Sequence, residues 1–133
     1  MSTVFKPFFA ALAAITITLN NLANDGVAVS NAIDNSSNLY EEILLELQIA
    51  GTAAAAAWLD VRVYHSIDGG TDYGTWESAM ILPPVILSAT PQVYHARFRA
   101  PKHFKIAVAN KTGAALSASG NEANYQGVNT QGV

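Results

Sequence analysis

Hydrophobic and polar residues alternate one by one over several short stretches of this chain. In "WLDVRVYHS", residues 58–66, an apolar set alternates with a more polar one: Leu59, Val61 and Val63 against Asp60, Arg62 and Tyr64. Side chains that recur with a period of two lie on one face of a β-strand. We therefore predict a strand here, with the apolar set facing a core.

Two further stretches, residues 93–100 and 104–110, alternate in the same way. The predicted inward residues are Tyr94, Ala96 and Phe98 in the first and Phe104, Ile106 and Val108 in the second. Less regular strands are predicted at residues 13–20 and 27–34, and a weaker one at 115–129. Clusters rich in Asn, Asp, Ser and Gly separate these stretches, as is typical of turns.

Residues 39–51, "LYEEILLELQIAG", admit two interpretations. Their Glu, Leu and Gln content favours a helix. However, a helical apolar stripe would have to include Glu46, whereas a period of two fits the four apolar positions without exception. Those positions are Ile43, Leu45, Leu47 and Ile49. We predict a long strand.

The remaining stretches complete an all-β pattern. Pro83 and Pro84 break "SAMILPPVIL", because proline cannot donate to a strand ladder. The alanine-rich residues 51–57 are too few for an isolated helix and are predicted to form a loop. About eight short strands without a helix predict an antiparallel β-sandwich of the jelly-roll type. We expect one such domain at residues 13–133, preceded by an extended arm at residues 1–12.

The predicted arm is strongly apolar. It contains Val4, Phe5, Phe8, Phe9 and Leu12. Because Pro7 interrupts any regular helix, we expect these side chains to pack on a neighbouring subunit or another protein. The alternative is that they supply an edge strand and core residues to their own sandwich. The charge-free run that follows Lys6 also fits a secretory signal, although Pro7 and "ITITL" suit a strand better.

Composition excludes several kinds of chemistry. The chain is 50% hydrophobic and 13% charged, which supports a single core. It has no cysteine, so disulfides and thiolate chemistry are excluded. A net charge of -3 argues against general affinity for nucleic acid or anionic membranes. No nucleophile elbow, P-loop, dinucleotide turn or metal-binding histidine spacing is present, so we expect neither an enzyme nor a cofactor.

The stretch "YHSIDGGTDYGTW", residues 64–76, is the densest group of candidate binding residues. Its Asp-Gly-Gly triplet predicts a tight hairpin turn. It does not match the spacing of a calcium loop, although Asp68, Asp72 and backbone oxygens leave a cation site as a lesser alternative. A sugar-binding patch would use Tyr73 and Trp76 as stacking platforms beside the two carboxylates. The competing interpretation is that the aromatic rings close one end of the sandwich.

Charge is distributed unevenly along the chain. The second half carries a basic run without acids: Arg97, Arg99, Lys102, Lys105 and Lys111. Before Val61 only Lys6 is basic, against six acidic residues. Neighbouring strands that pair Glu with Arg on the solvent face would explain this. Contact between subunits, or with an acidic protein surface, would explain it equally well.

Three segments together resemble a family of small virion structural proteins of tailed bacteriophages. They are "LANDGVAVSNAIDNSSNLYEEILLELQIAG", "VYHSIDGGTDYG" and "IAVANKTGAALSASGNEANYQGVNTQ", which cover most of residues 22–131. The apolar arm is not part of this pattern. The resemblance implies a β-sandwich that assembles on the virus particle and has no catalytic residues.

From the resemblance we expect a capsid decoration or cement protein on the exterior of the virion. Its partners would be the major capsid protein and further copies of itself, as a trimer at local three-fold positions. Independently of the resemblance, the residue patterns predict that attachment uses Val4, Phe5, Phe8 and Phe9 of the arm together with Arg97, Arg99, Lys102 and Lys105. A neck or tail component and a carbohydrate-binding module are the alternatives, and a secreted bacterial β-domain is a more distant one.

Overall fold

The computed structural model describes residues 5–51, 57–87 and 91–132. These residues form eleven β-strands: β1 (Phe5–Phe9), β2 (Ala13–Ile15), β3 (Val27–Val29), β4 (Ile33–Asp34), β5 (Glu42–Ile49), β6 (Ala57–Ser66), β7 (Met80–Ile81), β8 (Val85–Leu87), β9 (Gln92–Arg99), β10 (His103–Asn110) and β11 (Glu122–Gly132). Within the described ranges the only helix is a single 3-10 turn, Trp76–Ser78.

The strands form two antiparallel sheets. Sheet A has the order β1-β11-β5-β9, and β2 also pairs with β11. Sheet B has the order β3-β10-β6-β7, with β4 on β10 and β8 on β6. One apolar cluster with residues from both sheets forms the core between them. The predicted all-β, jelly-roll-like sandwich is therefore confirmed.

The alternating stretches place the core as predicted. In β5 the four alternating apolar residues are at most 1% exposed, and their neighbours, Leu44 included, are only partly buried, so the strand interpretation is confirmed. The inward residues of β6 and β10 are fully buried: Leu59, Val61, Val63, Phe104, Ile106 and Val108. In β9, Phe98 is buried and Tyr94 and Ala96 pack against the core. β5, β6 and β9 thus bury mainly one face, whereas β10 also buries Ala107 and Ala109 on its other face.

Two predicted strands are shorter than their sequences suggested. Regular pairing in residues 13–20 ends with β2 at Ile15, and residues 27–34 divide into β3 and β4. At the division the Ile106 N–H donates to the Ser30 hydroxyl, 2.9 Å away, instead of to a backbone carbonyl. The Asn31 N–H crosses to the carbonyl of Thr16. Side-chain and cross-sheet bonds of this kind compete with the regular ladder.

The N-terminal segment differs from the expected free arm. Residues 5–9 pair antiparallel with the end of β11, from Phe5 opposite Gly132 to Phe9 opposite Val128. Pro7 is accommodated because β1 is an edge strand. The arm and the sandwich are therefore continuous over these residues. This agrees with one part of the alternative, in which the arm supplies an edge strand. The other part, a contribution to the core, is not seen among the described side chains, since Phe8 and Phe9 are 38% and 56% exposed.

The segment predicted to be the weakest strand lies inside sheet A. β11 pairs with β5 on one side and with β1 and β2 on the other. Few of its residues are strongly apolar, so its sequence signal is low. Its place also depends on Gly127, where any side chain would overlap the ring of Tyr40.

Buried asparagines hold two loops of the sandwich in place. The Asn110 amide donates to the carbonyls of Leu22 and Ala114, and its oxygen accepts the Thr112 N–H, each at 2.8–2.9 Å. Asn35 joins Tyr40 to Pro101 in the same manner. The Asn in "AIDN" and the Asn in "ANKTG" thus act in the fold, not at a surface.

Candidate functional site

The outer face of sheet B exposes a group of large apolar side chains. Alternation in β3, β6, β7 and β8 directs one residue set inward and leaves the other on the outer face. The outward set contains Val27 (50% exposed), Val29 (45%), Trp58 (39%), Ile81 (65%) and Ile86 (67%). Strand register brings Trp58 opposite Ile86 and places Val29 and Ile81 in one row across β10 and β6. We call these five residues the apolar face.

A polar cluster occupies the middle of the same surface. The Arg62 guanidinium forms a two-point ion pair with Asp60, at 3.2 and 3.1 Å, and donates to the Trp76 carbonyl at 2.8 Å. It also lies 4.1 Å from the centroid of the Trp76 ring. The pair is largely buried, with side chains 16% and 13% exposed. Its charges are therefore neutralised within the chain.

The "SIDGG" loop is held together by its own carboxylates. Asp68 Oδ1 accepts bonds from the Ser66 hydroxyl at 2.6 Å and from the Thr71 and Asp72 N–H groups at 3.1 and 3.0 Å. These bonds, the Ser66 hydroxyl first, lower the pKa of Asp68 below its ordinary 3.8. Asp72 accepts the Gly74 N–H at 2.8 Å. Positive φ angles at Gly69 and Gly70 complete the turn. Both carboxylates thus stabilise the loop.

Tyr73 and Trp76, which follow this loop in the chain, lie over the outer face of sheet B and are partly exposed. Trp76 meets Tyr64 edge to face with ring centroids 6.5 Å apart. Lys105 Nζ lies 4.4 Å from the centroid of the Tyr73 ring. Such contacts are typical cation–π pairs. The structure therefore brings Tyr73 and Trp76 to one surface, but each ring already contacts a cation.

The outer face of sheet A carries paired charges beside its exposed apolar side chains. Acidic β5 lies beside basic β9: Arg97 Nε is 2.9 Å from Glu42, and His95 is 3.1 Å from Glu46. Bonds from Gln48 and then His95 lower the pKa of Glu46. Away from sheet A, Lys111 after β10 pairs with Asp25 before β3 at a distance of 3.2 Å. Pairing between neighbouring strands therefore accounts for part of the uneven charge.

The other predicted basic residues are differently placed. Arg99 lies opposite Glu42 in the β5–β9 register and is exposed. Lys102 is exposed in the turn between β9 and β10, and Lys105 contacts Tyr73 on sheet B. The basic set is thus divided between the two outer faces.

A shallow apolar groove of about 410 Å³ crosses sheet A. Leu12 and Leu44 contribute to it, and Glu46, His95, Arg97 and Gln126 surround it. Leu12 is 60% exposed, and nearby on β1 Phe9 is 56% and Phe8 38% exposed. The predicted binding residue Val4 and the side chain of Phe5 lie outside the part of the chain that the structure describes.

Within the described ranges, no cluster of three or more His, Asp or Glu side chains is arranged to hold a metal ion. No helix there is long and apolar enough to cross a membrane. His103 instead lies 3.6 Å from Asp34 and is mostly buried. Tyr94 donates to the Pro83 carbonyl at 2.6 Å, and burial raises its pKa to about 12.

The apolar face was not identified from the sequence. Its signal was nevertheless present, because Trp58 has the same parity as the outward residues Asp60 and Arg62. Likewise Ile86 lies between two residues, Val85 and Leu87, that are both buried. A search for large apolar residues at the outward positions of the predicted strands would have identified Trp58 as part of this face.

No family model matches the chain, and no curated protein matches it. Among solved structures it is similar to the C-terminal CBM6 of LamC, a laminarinase from Zobellia galactanivorans: 7% identity, 92% of this chain, 98% of that chain, TM-score 0.48. It is also similar to the CBM35 of Abf62 from Cellvibrio japonicus. The identity is 13%, the match covers 98% of this chain and 96% of that chain, and the TM-score is 0.48.

A third similar structure is a family two carbohydrate esterase from Cellvibrio japonicus. The identity is 11%, the match covers 99% of this chain and 36% of that chain, and the TM-score is 0.41. All three TM-scores are below 0.5. Similarity at this level carries no argument about a shared ligand or activity.

Proposed function

We propose that the protein is a non-catalytic structural protein that attaches to a protein shell through the apolar face. The observation that carries this proposal is that five large apolar side chains share the outer face of one sheet. Exposed apolar groups collected on one surface mark sites of protein contact. Burying a large aliphatic or aromatic side chain contributes roughly 1.5–3 kcal/mol.

The resemblance to phage virion proteins supplies the class of shell. We propose the exterior of the capsid, with the major capsid protein as partner and the protein acting as decoration or cement. A trimer at local three-fold positions would bind through three copies of the same contact, so its overall affinity would exceed that of one copy. The buried asparagines and Gly127 stabilise the fold of the segments on which this resemblance rests.

Co-sedimentation with heads tests the proposal. Heads of the phage that encodes the chain, assembled without it, are mixed with the purified protein. We expect saturable binding that the double variant Ile81→Ser/Ile86→Ser weakens at least tenfold, or about 1.4 kcal/mol. Val93→Ser is the matched control, because Val93 is 56% exposed but lies on sheet A. Unbound wild-type protein, or equal binding by the double variant, would overturn the proposal.

A carbohydrate-binding module is the second candidate. It is favoured by the partial exposure of Tyr73 and Trp76 over one sheet face, since aromatic rings can stack on sugars. Asp68 and Asp72 would be the hydrogen-bonding groups, although both now bond to their own loop. A glycan array separates the two functions: binding that is lost in Trp76→Ala and kept in Ile81→Ser/Ile86→Ser supports the module, and an array without binding rejects it.

A further inference from the structure

β9 leaves one long edge of sheet A open. It is the last strand of that sheet, has eight residues, and within the described residues pairs only with β5. The other sheet edges are short or interrupted: β3 has three residues, β7 has two, and β1 contains Pro7. Natural proteins usually shorten or interrupt edge strands, because open peptide groups invite another strand. Among the described strands, β9 is the exception.

The hydrogen-bonding pattern between β5 and β9 determines which peptide groups of β9 point away from β5. The Ala100 N–H donates to the Glu41 carbonyl at 3.0 Å. Since alternate residues of an antiparallel strand bond to opposite sides, even-numbered residues of β9 bond to β5. The N–H and C=O groups of His95, Arg97 and Arg99 then point away from β5. No strand in the described part of the chain pairs with these groups, so they can bond to an added strand.

The side chains on this edge define the charge of such a strand. His95, Arg97 and Arg99 are all exposed on the outer face. On its other side β9 is already paired with a strand of opposite charge, because β5 places Glu46 beside His95 and Glu42 beside Arg97. A second copy of β9 would place Arg and His against Arg and His, which is unfavourable. An acidic strand would continue the charge pattern of β5.

We infer that β9 binds an extended acidic segment of a partner protein by antiparallel strand addition. The added strand would take backbone hydrogen bonds from residues 95–99 and place acidic side chains beside Arg97 and Arg99. Its inward residues would be apolar and would cover Ala96 at the rim of the core. This edge belongs to the sheet opposite the apolar face, so the inference does not depend on the proposed attachment to a shell.

Peptide binding followed by NMR tests the inference. The probes are a ten-residue peptide that alternates glutamate with valine and a matched peptide that alternates lysine with valine. We expect the glutamate peptide alone to bind and to slow exchange of the His95 and Arg97 amide protons. No binding, equal binding of the lysine peptide, or protection confined to other strands would overturn the inference.

Two pairs of variants separate charge from backbone pairing. Arg97→Glu/Arg99→Glu should weaken binding at least tenfold, whereas Lys6→Glu, on the opposite edge, should leave it unchanged. Arg97→Pro removes the outward N–H, and Arg97→Ala removes the same side chain but keeps that N–H. Weaker binding by Arg97→Pro than by Arg97→Ala supports strand addition. Equal affinities in two folded variants would reject it, and the charge-reversal pair decides the matter if Arg97→Pro unfolds.

Discussion

The ring of Tyr40 lies against the backbone of Gly127, so close that a side chain at position 127 would overlap it. The contact joins the loop before β5 to the middle of β11. It lets a tyrosine cover a strand that has few large side chains of its own. Glycine is needed here for space, not for an unusual backbone angle, because Gly127 is not among the residues with positive φ.

Gly127→Ala is expected to destabilise the fold by about 1–3 kcal/mol, the usual cost of overpacking. The cost should shrink in a Tyr40→Ala background, where the new methyl group meets no ring. Chemical unfolding of the two single variants and the double variant measures this coupling. Additive effects would show that the Tyr40 contact does not set the requirement for glycine.

Asn110→Ala is expected to be destabilising by about 1–3 kcal/mol, because it leaves the carbonyls of Leu22 and Ala114 and the Thr112 N–H without their partner. Asn38→Ala is the control, since Asn38 is exposed in a loop. Thermal unfolding of both variants checks the prediction. Similar melting temperatures would contradict a clamp at Asn110.

The "SIDGG" loop should loosen in acid. The pKa of Asp68 is lowered in the folded protein, so its contribution is fully present above the ordinary value of 3.8 and is lost as pH falls through the lower folded value. NMR should show the Thr71 and Asp72 amide protons titrating together, with a midpoint below 3.8. Asp68→Asn should abolish this common titration. A midpoint above 3.8 would contradict the bonding described for the loop.

The N-terminal segment allows a separate test of attachment. Deletion of residues 2–10 removes β1 and the exposed side chains of Phe8 and Phe9, but no residue of the buried cluster. We expect a folded protein of lower stability that attaches to heads more weakly, because Phe8 and Phe9 would contact neighbouring copies while the apolar face contacts the shell. Circular dichroism reports the fold and co-sedimentation reports attachment. A truncated protein that attaches normally would show that β1 serves only its own sheet.

Much of the fold could be predicted because burial in this protein follows local alternation. β5, β6, β9 and β10 each show a period of two, and the structure places the predicted residues inward. β1 could not be recognised in this way, since its partner is more than a hundred residues away in sequence, as the pairing of Phe5 with Gly132 shows. The division at Ser30 was likewise hidden, because it depends on a hydroxyl that meets the distant Ile106 N–H.

Prediction of the candidate site was less complete. The sequence placed Tyr73 and Trp76 near each other but gave no sign that Arg62 and Lys105 contact their rings. The apolar face joins residues from four strands, and only strand register shows that Trp58 and Ile86 are neighbours. A surface of this kind depends on tertiary structure and has no short motif.

We proposed that the protein attaches to a phage capsid, and cryo-electron microscopy of phage particles purified from cells that produce this chain tests that central claim most directly. The account predicts density for the β-sandwich on the outside of the head, with Trp58, Ile81 and Ile86 against the major capsid protein. Density only in the neck or tail, no density in the particle, or attachment with these three side chains facing solvent would contradict it.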